Sequence, residues 1–157
     1  MPTIYLETPI DAPIDTCFDL ARDIDAHQLS TSKTKEKAVA GKVSGLCEKG
    51  DTITWQATHF GIKQYLTVQI TKMDKPNCFE DEMQKGAFAF MKHTHRFRQE
   101  AAKTIMIDEF TFSAPFGFLG KIAEKLFLTS YMTNFLKARN AILKSLAESK
   151  SKNSIRS

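Results

Sequence analysis

The feature that most constrains this chain is a change of period near residue 115. Between residues 36 and 113, apolar and polar residues alternate in short runs broken by turn signals. After Gly120 the alternation stops, and a helical stripe follows with no Pro and no further Gly. The alternating runs are Lys37 to Lys42, Thr52 to Phe60, Lys63 to Lys72, Phe79 to Lys85, Phe88 to Arg98 and Thr104 to Ser113. Turns such as Lys49-Gly50-Asp51 and Asp74-Lys75-Pro76-Asn77 separate them. Connections this short suit antiparallel neighbours, because parallel strands need a long crossover. The stripe carries Leu128, Met132, Phe135, Ile142 and Leu146, led in by Leu119, Ile122, Ala123 and Leu126, and runs to about Ser149. A helix of roughly 28 residues spans about 40 Å. Strands with one apolar face need a cover, and only this helix is long enough to supply it.

Ahead of the alternating region, Thr3 to Thr8 reads as a first strand, broken by Pro9-Ile10-Asp11-Ala12-Pro13. A short helix is expected from Ile14 to Ala21, with Asp11 as its cap and Pro13 in its first turn. A second is expected from Ile24 to Leu29, and a polar loop from Ser30 to Lys35. The predicted fold is α+β: a curved antiparallel sheet of six to seven strands wrapped around a long C-terminal helix, with two short helices after the first strand. It forms one domain over residues 1–149, followed by a frayed polar tail at 150–157.

The 12 Phe residues, against one Trp and three Tyr, fill apolar volume without needing a hydrogen-bond partner. They fit a Phe-rich core and an apolar pocket wall equally well. A net charge of +4 is mild, and the run Lys33, Lys35, Lys37 is interrupted by Glu36 with no aromatic residues between. That pattern reads as a solvated face and not as a nucleic-acid stripe. Cys17, Cys47 and Cys78 are isolated, so neither a disulfide framework nor a CxxC site is expected. The opening residues lack a signal-peptide pattern and no run approaches a membrane span, so the expected setting is the cytoplasm, with no integral membrane association. Gly-rich phosphate loops, GxSxG and HExxH are missing, and neither a cofactor nor a metal is assigned. The oligomeric state stays open.

The chemistry points to Met91-Lys92-His93-Thr94-His95-Arg96-Phe97-Arg98. In a strand, His93, His95 and Phe97 share one face, and Lys92, Thr94, Arg96 and Arg98 share the other, which is the solvent side. Two inward histidines need partners. Three readings are open: a pair satisfied by neighbours or buried water, a polar anchor for a ligand, or a metal or acid–base site. His59 shares the face of Trp55 and would supply a third imidazole for zinc. The carboxylate partner depends on the hairpin at residues 100–103. A two-residue loop at Ala101-Ala102 sets His95 opposite Asp108, and a three-residue loop sets His93 opposite Glu109. Arg139 interrupts the apolar helix stripe, where it either snorkels to the edge, holds a ligand carboxylate or pairs with an acidic strand residue. Asp81 and Glu82 read as rim residues.

The segments TWQATHFG (54–61), KPNCFEDEMQKGAFAFMKHTHRF (75–97), TIMIDEFTFSAPFGFLG (104–120) and LKARNAILK (136–144) resemble the SRPBCC superfamily. These are START-related domains with a helix-grip fold, and within them the chain is most similar to a bacterial polyketide-cyclase-like, ligand-binding branch. The resemblance spans roughly residues 3 to 146 and includes the H-x-H-x-F and P-x-G-x-L-G elements. It implies a cavity between sheet and long helix that takes a hydrophobic or amphipathic small molecule. His59, His93, His95, Asp108 and Arg139 match recurring positions of the branch, without assigned roles. The residue pattern itself, and not the resemblance, gives the candidate ligand-binding residues: Trp55, His59, His93, His95, Phe97, Asp108, Phe135 and Arg139. Three functions follow: a binding or carrier protein, a cyclase or dehydratase using a histidine–carboxylate pair, or a protein-interaction module.

Overall fold

The computed structural model of the chain describes residues 1–156, with side chains described to Ser154. Strand β1 (Thr3–Ile10) leads to helices α1 (Ile14–Ala21) and α2 (Ile24–Ser30) and a single 3₁₀ turn at Ser32–Thr34. Six strands follow: β2 (Lys37–Gly41), β3 (Thr52–His59), β4 (Ile62–Asp74), β5 (Cys78–Lys85), β6 (Phe90–Glu100) and β7 (Lys103–Ser113). They form one sheet in the order β1-β7-β6-β5-β4-β3-β2, antiparallel throughout. Register shifts within β2 and β4 supply the bulges that bend it. The expected curved sheet, two short helices and long C-terminal helix are all present.

The last helix is longer and less regular than its sequence suggests. Helix α3 (Gly117–Ala123) runs through a π-helical turn at Glu124–Leu128 into α4 (Thr129–Arg156). The amide of Thr129 reaches back five residues to the Glu124 carbonyl, and the Thr129 hydroxyl donates to the same oxygen at 2.9 Å. Residues 150–156 continue the helix where a frayed tail is expected, since no Pro or Gly interrupts them; Ser157 lies outside the described residues. Gly120 is required by close approach: a Cβ there would lie 2.1 Å from the Pro115 carbonyl oxygen. Asp11 does not cap α1. Pro13 occupies the N-cap with no side-chain bond, and the Asp11 amide donates instead to Glu148 Oε1. Asp23 caps α2, accepting from the amides of Asp25 and Ala26.

Helix α4 covers the concave face of the sheet, burying Met132, Leu136, Leu143 and Ala147. Two apolar clusters result. One packs Ile53, Val68, Ile70, Met91, Phe110 and Phe112 against Met132 and Leu136. The other packs Phe18 of α1 with Phe79, Phe97, Met106 and Leu143. Between these clusters the sheet presents its polar residues.

Candidate functional site

The site begins with the β6–β7 hairpin. Its loop is the two-residue one, Ala101-Ala102, with Glu100 opposite Lys103 and His95 opposite Asp108. Asp108 therefore points inward, while Glu109 turns outward to pair with Arg96. Asp108 is fully buried. His93 donates Nε2–H to its Oδ1 at 2.7 Å, Arg139 Nη2 donates to the same oxygen at 2.7 Å, and Asn140 Nδ2 donates to Oδ2 at 2.7 Å. Asn140 Oδ1 accepts from both Arg139 Nε and Nη2. Burial alone would raise the Asp108 pKa, but the Arg139 guanidinium and the His93 bond hold it far below the usual carboxylate range.

His95 takes the neighbouring strand for its partner. Its Nε2–H donates to Asp81 Oδ2 at 3.1 Å, its ring stacks on Phe79 at 4.1 Å, and it lies 3.8 Å from the His93 ring. Burial first, and then His93, push its pKa down to about 4, so it is neutral at physiological pH. Burial would raise Asp81, but its bond to His95 keeps it below the ordinary value. Among the described residues, His95 Nδ1 is buried and makes no hydrogen bond. Asp108 Oδ1 lies 3.5 Å from it.

A second polar patch faces the same space. His59 Nδ1 and the Tyr131 hydroxyl are 2.6 Å apart, and Glu36 pairs with His27, whose ring lies 4.2 Å from Trp55. Burial lowers the His59 pKa. Burial and then Glu36 raise Tyr131. Burial would raise Glu36 too, but its pairing with His27 holds it below the ordinary glutamate value. Tyr131, Phe135 and Arg139 are one helical turn apart along α4, so the two polar patches are separated by about 12 Å of helix.

Between them lies a cavity of about 380 Å³. Ile53, Val68, Met91, Phe110, Leu136 and Phe135 form its apolar wall, and Trp55, His59, Asp81, His93, His95 and Arg139 also line it. Phe60 and Phe127, lining residues at one end, are themselves exposed, so the cavity meets solvent there. Of the residues singled out from sequence, Trp55, His59, His93, His95, Phe135 and Arg139 line the cavity. Asp108 sits behind the two histidines. Phe97 does not line the cavity: it belongs to the second cluster, edge-on to Phe18. Arg139 does not snorkel, being buried and committed to Asp108. Asp81 is not a rim residue, because alternation from Phe79 turns it inward beside His93. His59 bonds Tyr131, so the three-histidine zinc set is not assembled. Sequence reasoning missed Asn140, Glu36, His27 and Tyr131.

Solved structures share this architecture. TTHA0849 from Thermus thermophilus is 20% identical with a TM-score of 0.78, covering 96% of this chain and 99% of that one. A START superfamily protein from Mycobacterium smegmatis is 13% identical with a TM-score of 0.70, covering 92% and 98%. The ginseng major latex-like protein 151 from Panax ginseng is 12% identical with a TM-score of 0.69, covering 93% and 97%. The chain has the START-type helix-grip fold. No family model and no curated protein matches it. In this helix-grip chain α4 contributes to both polar patches, with Tyr131 on His59 in one and Arg139 and Asn140 on Asp108 in the other. Among the described residues no helix is long and apolar enough to cross a membrane.

Proposed function

We propose that the chain binds or carries a hydrophobic or amphipathic small molecule in the space between sheet and α4. The supporting observation is a cavity of about 380 Å³ whose wall is mainly apolar, with two patches of ionisable side chains on it, one around His59 and one around His93 and His95. Small-molecule sites share that make-up, a few placed polar groups on an apolar lining. The ligand's apolar body lies along Val68, Met91, Phe110 and Phe135, and His93 with His95 orients its polar group. Native mass spectrometry of protein purified from cells tests this. One small organic molecule per chain, lost on denaturation, is expected. A bare protein that also binds nothing from a library of amphipathic compounds would refute it.

A second reading, an enzyme of cyclase or dehydratase type, draws on the His93–Asp108 bond. An ionised Asp108 fixes the His93 tautomer and orients the ring, as the third member of a catalytic triad does. Recovery of the bound molecule chemically altered after incubation would favour this reading; recovery unchanged favours carriage. The interaction-module alternative expects an exposed apolar patch in place of a deep pocket. Phe116, Phe118, Leu119 and Leu126 are exposed, but the cavity is present as well.

A further inference from the structure

Asp81 on β5 and His93 and His95 on β6 each present a ligand atom, all within 4.8 Å of one another, on the cavity wall. We propose that these three residues bind a divalent first-row transition ion such as zinc, with a coordination position open toward the cavity. This goes beyond the small-molecule reading and does not rest on it.

The unpartnered nitrogen carries the case. With His95 Nε2–H donating to Asp81, Nδ1 bears a lone pair and faces Asp108 Oδ1 at 3.5 Å. Two acceptors then meet with no proton between them, in a ring that is 3% exposed. An ion on Nε2 moves the ring proton to Nδ1, which donates to Asp108. His93 already has that arrangement, its Nε2–H on Asp108, leaving Nδ1 as the nitrogen available to an ion. Both imidazoles would then be backed by the same carboxylate, the outer-shell pattern that fixes the tautomer of metal-binding histidines. Asp108 is in turn held in place by Arg139 and Asn140.

Spacing and charge agree. The 3.1 Å between His95 Nε2 and Asp81 Oδ2 matches two ligands on one ion with bonds of about 2.0–2.2 Å. Two carboxylates, Asp81 and Asp108, face one guanidinium, Arg139, so a cation balances the excess negative charge. Two imidazoles and one carboxylate suit zinc, cobalt(II) or iron(II) better than calcium or magnesium, which prefer all-oxygen sites. The cysteines are not part of the cluster.

The test uses the full chain, stripped with chelator and titrated with Co²⁺ and with Zn²⁺ in the absence of organic compounds. One ion per chain, a Co²⁺ spectrum without a thiolate band and a higher melting temperature with Zn²⁺ are expected. Asp81→Asn and His95→Gln should each weaken binding on the order of 100-fold, since outer-shell partners alone contribute 10–100-fold. Circular dichroism shows whether these variants fold. If they do not, X-ray absorption on the zinc-loaded wild type decides, with two imidazole nitrogens and a carboxylate oxygen expected. Binding that does not saturate below millimolar metal, sulfur in the first coordination sphere, or undiminished binding by folded Asp81→Asn would each overturn the proposal. None of these outcomes bears on small-molecule binding, which is measured with chelator present.

Discussion

Arg139→Leu tests the electrostatics at the centre of the fold. Asp108 is wholly buried, and Arg139 is the cation on its Oδ1. The variant leaves a buried carboxylate with two remaining donors on it, His93 and Asn140. Breaking a buried pair from one side costs about 3–5 kcal/mol. For a chain of 157 residues that lowers Tm by roughly 6–20 °C. Removing both charges in Asp108→Leu/Arg139→Leu should cost less than the sum of the single variants, with a coupling of about 2–3 kcal/mol. The pH dependence gives a second signature. In the wild type, the depressed Asp108 pKa contributes stability that is full above the unfolded value, about 3.9, and is lost progressively as pH falls below it. In Arg139→Leu burial dominates and the sign reverses. The folded pKa rises above the unfolded one, so the penalty is full at neutral pH and fades as pH falls through the raised value. Urea unfolding at pH 7.5 and at pH 5 measures both effects. A loss below about 1 kcal/mol, or one that does not change with pH, would refute the view that Arg139 neutralises a buried charge.

Glu36→Gln should flatten the acid limb of the stability curve: the pairing that depresses the Glu36 pKa contributes above the ordinary value of 4.5 and is lost as pH falls below it, as acid titration by circular dichroism would show. Burial raises the thiol pKa of all three cysteines, Cys47 to about 12, so a disulfide reagent at pH 8 should leave the native protein unlabelled and titrate three thiols in urea. Gly120→Ala forces a methyl onto the Pro115 carbonyl and should cost about 1–3 kcal/mol in a thermal melt. Tyr131→Phe removes one bond to His59 at a cost of about 0.5–1.5 kcal/mol, while leaving circular dichroism unchanged.

The strands and the long helix were legible because their periods differ, and the inward turn of His93 and His95 follows from alternation alone. The identity of the carboxylate beside them depended on one loop length, which residue types at 101–102 leave open. Glu36 was lost to its neighbours: three lysines around it suggest a solvated run, yet it shares the face of buried Ala38. Asp81 was read as a rim residue for its charge, although alternation from Phe79 within the strand Cys78–Lys85 already turns it inward. Asn140 sits beside Arg139, and the apolar stripe gives no reason for an amide there. Its role appears only once Asp108 is known to have a second oxygen to satisfy. Phe97 shares a face with the histidines but lies beyond the cavity, a displacement along the strand that period-two patterning does not register.

The wide turn at Glu124–Leu128 acts as a phase adjuster in a screw. One extra residue in a regular helix corresponds to about 100° of rotation. Upstream of it, Gly120 must face the Pro115 carbonyl; downstream, Arg139 must face Asp108. A uniform thread would satisfy one of these meshings and miss the other. Chain length across those five positions is therefore under tighter restraint than the identity of the side chains. Deleting a single residue there should uncouple the two ends of the rod, while most substitutions of the exposed Lys125 and Leu126 leave them engaged.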